Sequence, residues 1–233
     1  MFLMRFDMRA PGKSAGERAA LYRAAIDMVA WADTRGCISA VVSEHHASDD
    51  GYLPSPFPLA SALAAVTRNT PITVAAALLN LYDPVRLAED IVVLDHISAG
   101  RAMVVLGLGY RPVEYELHGV DFAQRATLAD QNLAALLDAF TRVTPRPFSG
   151  DRPMIAWGGG SAAAARRAGR FGVAFLAQGG DPVALQRAYE QAATEAGHTP
   201  GMAMIPSLDA PLSVFVNDDL DAGWAEVGDA LLA

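Results

Sequence analysis

Apolar runs of strand length alternate along this chain with amphipathic stretches of helix length. Phe2–Phe6 reads as a first strand. Glu17–Arg35 then places Leu21, Ala25, Met28 and Ala32 at helical spacing, and Gly36 supplies a stop. Ile38–Ser43 predicts a second strand, and Pro56–Thr67 a helix after a proline-rich loop. Ile72–Leu79 predicts a third strand. Pro84–Ser98 predicts a helix with proline in its first turn and Gly100 beyond its end. Ala102–Leu106 follows as a fourth strand, and Leu128, Leu133, Leu136, Leu137 and Phe140 mark the next helix. Met154–Trp157, Val173–Leu176 and Pro211–Val216 predict three more strands, separated by helices over Ala162–Arg170 and Pro182–Ala196. A last helix begins near Asp218–Asp219.

Strands alternating with helices at this spacing imply an α/β protein with a parallel sheet, and seven strands bring it close to an eight-stranded (β/α)8 TIM-type barrel. The expectation is one barrel domain over residues 1–233. The sequence stops inside its last predicted helix, before any eighth strand. Either the chain is a C-terminally incomplete copy of a longer polypeptide, or an unusual closure or a partner covers the two strand edges. A Rossmann-type open sheet is the alternative. It is disfavoured because no third glycine of a dinucleotide fingerprint follows the first strand.

Composition narrows the function classes. A length of 233 residues with 52% hydrophobic and 19% charged residues describes a packed domain with a sizeable core. The formal net charge of -8 argues against a nucleic-acid partner, which would need a basic face, and leaves a small-molecule substrate. The single cysteine, Cys37, excludes an internal disulfide and agrees with a reducing cytoplasm. No apolar run reaches the roughly 18 residues of a membrane span. The first charges also arrive too early for a signal peptide. The expectation is a soluble cytoplasmic protein with neither a nucleic-acid nor a membrane partner.

In a barrel the chemistry sits just past the C-terminal strand ends. Past the second strand stands Ser43-Glu44-His45-His46, two imidazoles beside a carboxylate, suited to proton transfer near neutral pH. The bland alternative makes one histidine a loop cap and the other a solvent-facing ring. A metal site finds little support. Of the five histidines, His96 sits mid-helix and His198 in a polar loop, so neither joins a cluster, and adjacent histidines do not share a helix face. Glycosidase chemistry would want paired carboxylates at strand ends, yet the fourth strand ends in Gly107-Leu108-Gly109-Tyr110. Those glycines either let a flat ligand approach the backbone or simply form a tight turn. Past the fifth strand, Trp157-Gly158-Gly159-Gly160-Ser161 leads into a helix, an arrangement that suits a phosphate. Arg125 would add a charge-assisted contact there, unless it is a solvated surface arginine.

Taken in order, these pieces resemble the bacterial luciferase-like monooxygenases. The matching stretches are Ser43–His46 with Pro54-Ser55-Pro56, Asp83–Asp90, Leu94-Asp95 and Ser98-Ala99-Gly100-Arg101. They continue with Gly107–Tyr115, Gly119-Val120-Asp121-Phe122 with Arg125, and the glycine-rich turn ending at Ser161. Each is weak alone, but the ordered set, spanning about residues 38–175, is specific. The resemblance implies a barrel that binds reduced FMN or the deazaflavin coenzyme F420, with the ring over the strand ends. By match His45 is the catalytic histidine, with His46 and Glu44 beside it. Gly107, Gly109 and Tyr110 fall beside the cofactor, and Arg125, Gly159, Gly160 and Ser161 near its phosphate. Ala75-Ala76 matches a non-proline cis peptide beneath the ring. The Asp83–Asp90 and Ser98–Arg101 blocks read as structural.

The resemblance further implies a homodimer and a flavin reductase that supplies reduced flavin. This sequence departs from the family in a short connection after Phe140 and in the absent eighth strand. Both put the substrate in doubt, because such segments line the substrate side. Three activities stay open: an FMNH2- and O2-dependent monooxygenase, a deazaflavin-dependent hydride-transfer oxidoreductase, and a flavin-binding protein without turnover.

Overall fold

The computed structural model describes residues 1–207 and 217–232. Seven strands are β1 (Phe2–Phe6), β2 (Cys37–Val42), β3 (Ile72–Leu78), β4 (Ala102–Gly107), β5 (Met154–Gly158), β6 (Ala174–Leu176) and β7 (Ala203–Met204). They pair in parallel in the order of the sequence, giving one curled sheet. A Rossmann sheet would reverse its strand order at a switch point; the sequential order excludes it here. Among the described residues no eighth strand joins β1 to β7.

The helices alternate with the strands: α1 (Ala15–Ala32), α2 (Pro56–Ala65), α3 (Pro84–Ser98), α4 (Pro112–Leu117), α5 (Arg125–Ala139), α6 (Ala162–Arg170), α7 (Pro182–Glu195) and α8 (Leu220–Leu232). Their boundaries follow local chemistry. α1 starts two residues before the predicted Glu17 because Ser14 and Glu17 form a reciprocal capping box. It stops at Ala32, where Arg35 N–H closes a tighter turn onto Ala32 O before the left-handed Gly36, and the carboxylate of Asp33 accepts the backbone N–H groups of Arg68, Asn69 and Thr70 at 3.0, 2.9 and 2.8 Å. Asp83 caps α3 ahead of Pro84, and α3 ends on the left-handed Ala99. Arg101 then ties the start of β4 to the end of α2 through Ala64 O, Thr67 O and Thr70 O. Both blocks read as structural in the sequence act so.

The predicted seventh strand, Pro211–Val216, lies outside the described residues. The observed β7 escaped prediction because two residues between Gly201 and Pro206 carry no strand pattern. It is held by Phe175 N–H to Met202 O and Ala177 N–H to Met204 O, at 3.0 and 2.9 Å. The short connection from α5 to β5 is continuous, with a cis Thr144–Pro145 bond and Ser149 tied to buried Asp95.

The main core lies between sheet and helices, where Leu63, Leu87, Ile91, Leu94, Leu133 and Leu136 have no exposed surface. Each such side chain contributes about 1.5–3 kcal/mol on burial. The inner face of the sheet carries smaller groups: Val105, Ala156 and Ala174, with Ala75, Ala76, Met103 and Leu176 against them. Small inner residues leave space at the strand ends, and a cleft opens there. Among the described residues no helix is long and apolar enough to cross a membrane.

Candidate active site

The cleft has a volume of about 690 Å³ and is walled by the segments that leave β1 to β6. Part of its lining is made by Ala75 and Ala76 of β3 and Gly107 of β4. The Ala75–Ala76 peptide is cis, as the resemblance implies. The pairing of β3 with β4 skips Ala76 between Ala75↔Val105 and Ala77↔Leu106. A Cβ added to Gly107 would lie 3.2 Å from that of Ala76, so glycine is what lets the two strand ends sit this close. Gly109 turns the chain with φ +72, a conformation that favours glycine. The exposed Tyr110 follows on the cleft rim.

The adjacent histidines part company. His45 lines the cleft, and its Nδ1 lies 2.8 Å from Oε1 of Glu114 on α4. Its ring meets Tyr52 and Tyr110 edge-on, with centroids 4.6 and 5.5 Å away. His46 turns inward instead. Its Nε2 lies 2.7 Å from Oε1 of Glu44, and its Nδ1 lies 3.4 Å from Nε2 of His118. Glu44, expected beside His45, therefore orients His46. Its Oε2 also accepts the Leu78 N–H and the Tyr82 hydroxyl, at 3.1 and 2.8 Å. Burial and the adjacent Glu44 carboxylate push the Tyr82 phenol well above its ordinary value. Burial, helped by the neighbouring His46, lowers His118.

Sequence reasoning missed Glu114, although it stands in the matched Gly107–Tyr115 stretch. α4 has only six residues, too few to read by periodicity. Its N-cap Arg111 donates to the carbonyls of His46 and Ala47 and to Glu114 Oε1, strapping α4 to the histidine loop. Behind it Tyr115 is fully buried; its hydroxyl donates to Leu108 O and accepts from Asn80, and burial raises its pKa.

The far end of the cleft reaches Gly158, Gly159 and Ser161, where Ser161 caps α6 by accepting the Ala164 N–H at 3.2 Å. Gly160 does not line the cleft; it packs against Gly179 O. Arg125 does not line it either. Its guanidinium donates to Phe122 O at 2.9 Å and lies over the Phe122 ring, 4.0 Å from the centroid. The arginine at this end is Arg167 of α6, which lies over Trp157 and pairs with Asp130 at 2.5 Å. Its position mid-helix gave no sign of this in the sequence.

These residues fit the group that the resemblance implies. Ala75, Ala76 and Gly107 offer a surface with no side chain beyond Cβ for a flat ring. The start of α6 offers N–H dipoles for an anionic tail, and Arg167, paired with Asp130, lines the same end of the cleft.

Comparison with known proteins gives the same family. A family model described as luciferase-like monooxygenase matches residues 4–233. A relative from Sinorhizobium fredii, the uncharacterized protein y4wF, is 38% identical over 89 residues, which is 38% of this chain and 26% of that protein. The match thus spans about a quarter of that relative's length. Among solved structures, monooxygenase RslO1 from Streptomyces bottropensis is similar with a TM-score of 0.74 and 23% identity, over 86% of this chain and 68% of that one. The oxygenating constituent of 3,6-diketocamphane monooxygenase from Pseudomonas putida, in complex with FMN, gives 0.69 and 25%, over 85% and 63%. The coenzyme F420-dependent tetrahydromethanopterin reductase from Methanopyrus kandleri gives 0.64 and 16%, over 85% and 62%.

Proposed function

Because this chain belongs to the luciferase-like monooxygenase family, we propose that it is an FMNH2- and O2-dependent monooxygenase of a small organic substrate, with His45 as its proton-handling residue. The observation that carries this reading is the placement of His45. Its imidazole lines the cleft together with the Ala75–Ala76 surface, and one ring nitrogen is anchored from behind by a buried carboxylate. Reduced FMN, when bound, supplies the two electrons that activate O2, so that one oxygen atom enters the substrate and the other leaves as water.

The chain's own residues do the rest. Ala75, Ala76 and Gly107 would seat the ring, and Ser161 and Arg167 would hold the phosphate end. Tyr52 and Tyr110 flank the histidine edge-on at the cleft mouth. His45 holds or delivers a proton at the ring nitrogen not tied to Glu114. A flavin reductase would deliver the reduced cofactor.

One observation favours a second reading, hydride exchange with coenzyme F420. In a chain of net charge -8, the described cleft lining carries Arg5, Arg9, Arg111 and Arg167 alongside Glu44 and Asp50; Arg9, Arg111 and Arg167 also pair with Asp7, Glu114 and Asp130, and this gathering of guanidinium groups suits a polyanionic tail. Single-turnover assays separate the readings. Pre-reduced FMN with oxygen and a substrate panel should give an oxygenated product. Oxidation or reduction of F420 without such a product would replace the first reading by the second. Flavin binding with neither activity would leave a binding protein.

A further inference from the structure

We propose that Glu114 is a positioning residue that fixes His45 as the tautomer protonated on Nδ1, leaving Nε2 as the free ring nitrogen. The proposal deepens the reading of His45 as the proton-handling group, and it follows from how the two oxygens of one carboxylate are used. The Glu114 side chain has no exposed surface. Its Oε1 lies 2.8 Å from His45 Nδ1, accepts the His46 N–H at 3.0 Å and faces Arg111 Nη1 at 3.3 Å. Its Oε2 has no hydrogen-bond partner among the described residues.

That asymmetry decides the direction of the His45 contact. An ionised carboxylate only accepts, so Nδ1 must carry the hydrogen. If Glu114 were protonated, a proton on Oε1 would point at two N–H donors, whereas Oε2 has room for it. Oε1 therefore accepts in either state, and Nδ1 donates in either state. The hydrogen bond at one imidazole nitrogen sets the protonation of the other, so Nε2 is an acceptor whenever His45 is neutral.

The groups facing His45 are consistent with this. Glu114 comes from α4, Arg111 from its N-cap and Tyr110 from the loop before it. Tyr52 comes from the histidine's own loop, with Arg9 over that ring at 5.2 Å. Glu44 and His118 engage His46 and make no hydrogen bond to His45. The two histidines thus have separate carboxylates and separate roles, which the Glu44-His45-His46 string conceals.

Nitrogen-15 NMR of imidazole-labelled protein without cofactor reads the tautomer directly, with His45 assigned by comparison with His45→Asn. Wild type should show neutral His45 protonated on Nδ1. Glu114→Gln should keep that tautomer, because the His46 and Arg111 donors orient the amide oxygen into the place of Oε1. Glu114→Ala should shift neutral His45 toward the Nε2-protonated form preferred by a free histidine side chain. In turnover, Glu114→Ala should lower kcat about ten-fold or more, with KM for the substrate within a few-fold. A wild-type His45 protonated on Nε2 would overturn the proposal. So would an unchanged tautomer in folded Glu114→Ala. Should that variant not fold, the wild-type spectrum decides alone. Because no cofactor is present, these spectra stand whatever the oxygenation assay shows.

Discussion

Glu44 Oε1 lies 2.7 Å from His46 Nε2, and both side chains face into the protein at the root of the histidine loop. The second oxygen of Glu44 takes the Leu78 N–H and the Tyr82 hydroxyl, so one buried carboxylate joins the loop after β2 to the end of β3. Removing it leaves three donors without their acceptor beside the cleft. Glu44→Ala should cost about 1–3 kcal/mol of stability or more, read as a lower urea midpoint at unchanged slope. His45→Ala, which removes a cleft-lining ring, should cost far less. Equal losses for the two variants would mean that the division between a structural and a chemical histidine is wrong.

The phosphate end of the cleft allows a comparison of two arginines. Arg167 lines it, although its guanidinium also meets Asp130, the Ala126 carbonyl and the Trp157 ring, while Arg125, held by the carbonyl and ring of Phe122, does not line it. Losing a charge-assisted contact to a phosphate costs about 1.5–3 kcal/mol, roughly ten- to a hundred-fold in affinity. Arg167→Ala should therefore weaken FMN binding by that factor, and Arg125→Ala should change it little. Isothermal titration of both variants, with thermal melts to confirm folding, decides the matter. The reverse ranking would restore Arg125 to the cofactor.

The reach of the sequence can be judged element by element. Strands one to six and most helix starts were legible because apolar runs of five or so residues end at glycine, proline or a capping side chain. β7 was not, since two residues leave no pattern and, among the described residues, they pair only with β6 and Ala177 just past it. Within the site, His45 could be found because it follows a strand end. Glu114 stands 69 residues away on a helix shorter than two turns, and only folding brings it to the imidazole. Arg167 was hidden for a different reason. A helical arginine near an alanine-rich start looks like any solvated charge until Trp157 and Asp130 pack against it.

Asp33 gives a pH test of the fold that is independent of the cleft. Its carboxylate is held well below the ordinary range: partial burial opposes ionisation, but the backbone N–H groups of Thr70, Arg68 and Asn69 outweigh it. A depressed folded value means that the stabilisation is fully present above the unfolded pKa of about 3.9 and is lost as pH falls below it. Asp33→Ala should cost about 1–3 kcal/mol at pH 7. At pH 3 the gap to wild type should narrow, because Asp33 of the unfolded chain then takes up a proton that the folded carboxylate does not. Urea titrations at the two pH values measure it, and a constant gap would show that the carboxylate charge contributes nothing.

The sharpest functional test falls on His45. Oxygen activation in a barrel mouth succeeds only if water is kept out and protons arrive where they are needed. The ring is placed to deliver those protons, since it lines the cleft, is tied at Nδ1 to Glu114, and has a side chain only 18% exposed. Proton transfer by a positioned side chain is typically worth about 10²–10⁴ in rate. His45→Ala should slow product formation from pre-reduced FMN and oxygen by about that factor. FMN affinity should stay within a few-fold, because ring and phosphate would rest on Ala75, Ala76, Gly107, Ser161 and Arg167 instead. His46→Ala should behave differently, losing stability with the Glu44 network. Where it stays folded, it should keep most of the single-turnover rate. If His45→Ala forms product at the wild-type rate while His46→Ala does not, the proton-handling role belongs to the inward-facing ring, and the assignment of the two histidines must be exchanged.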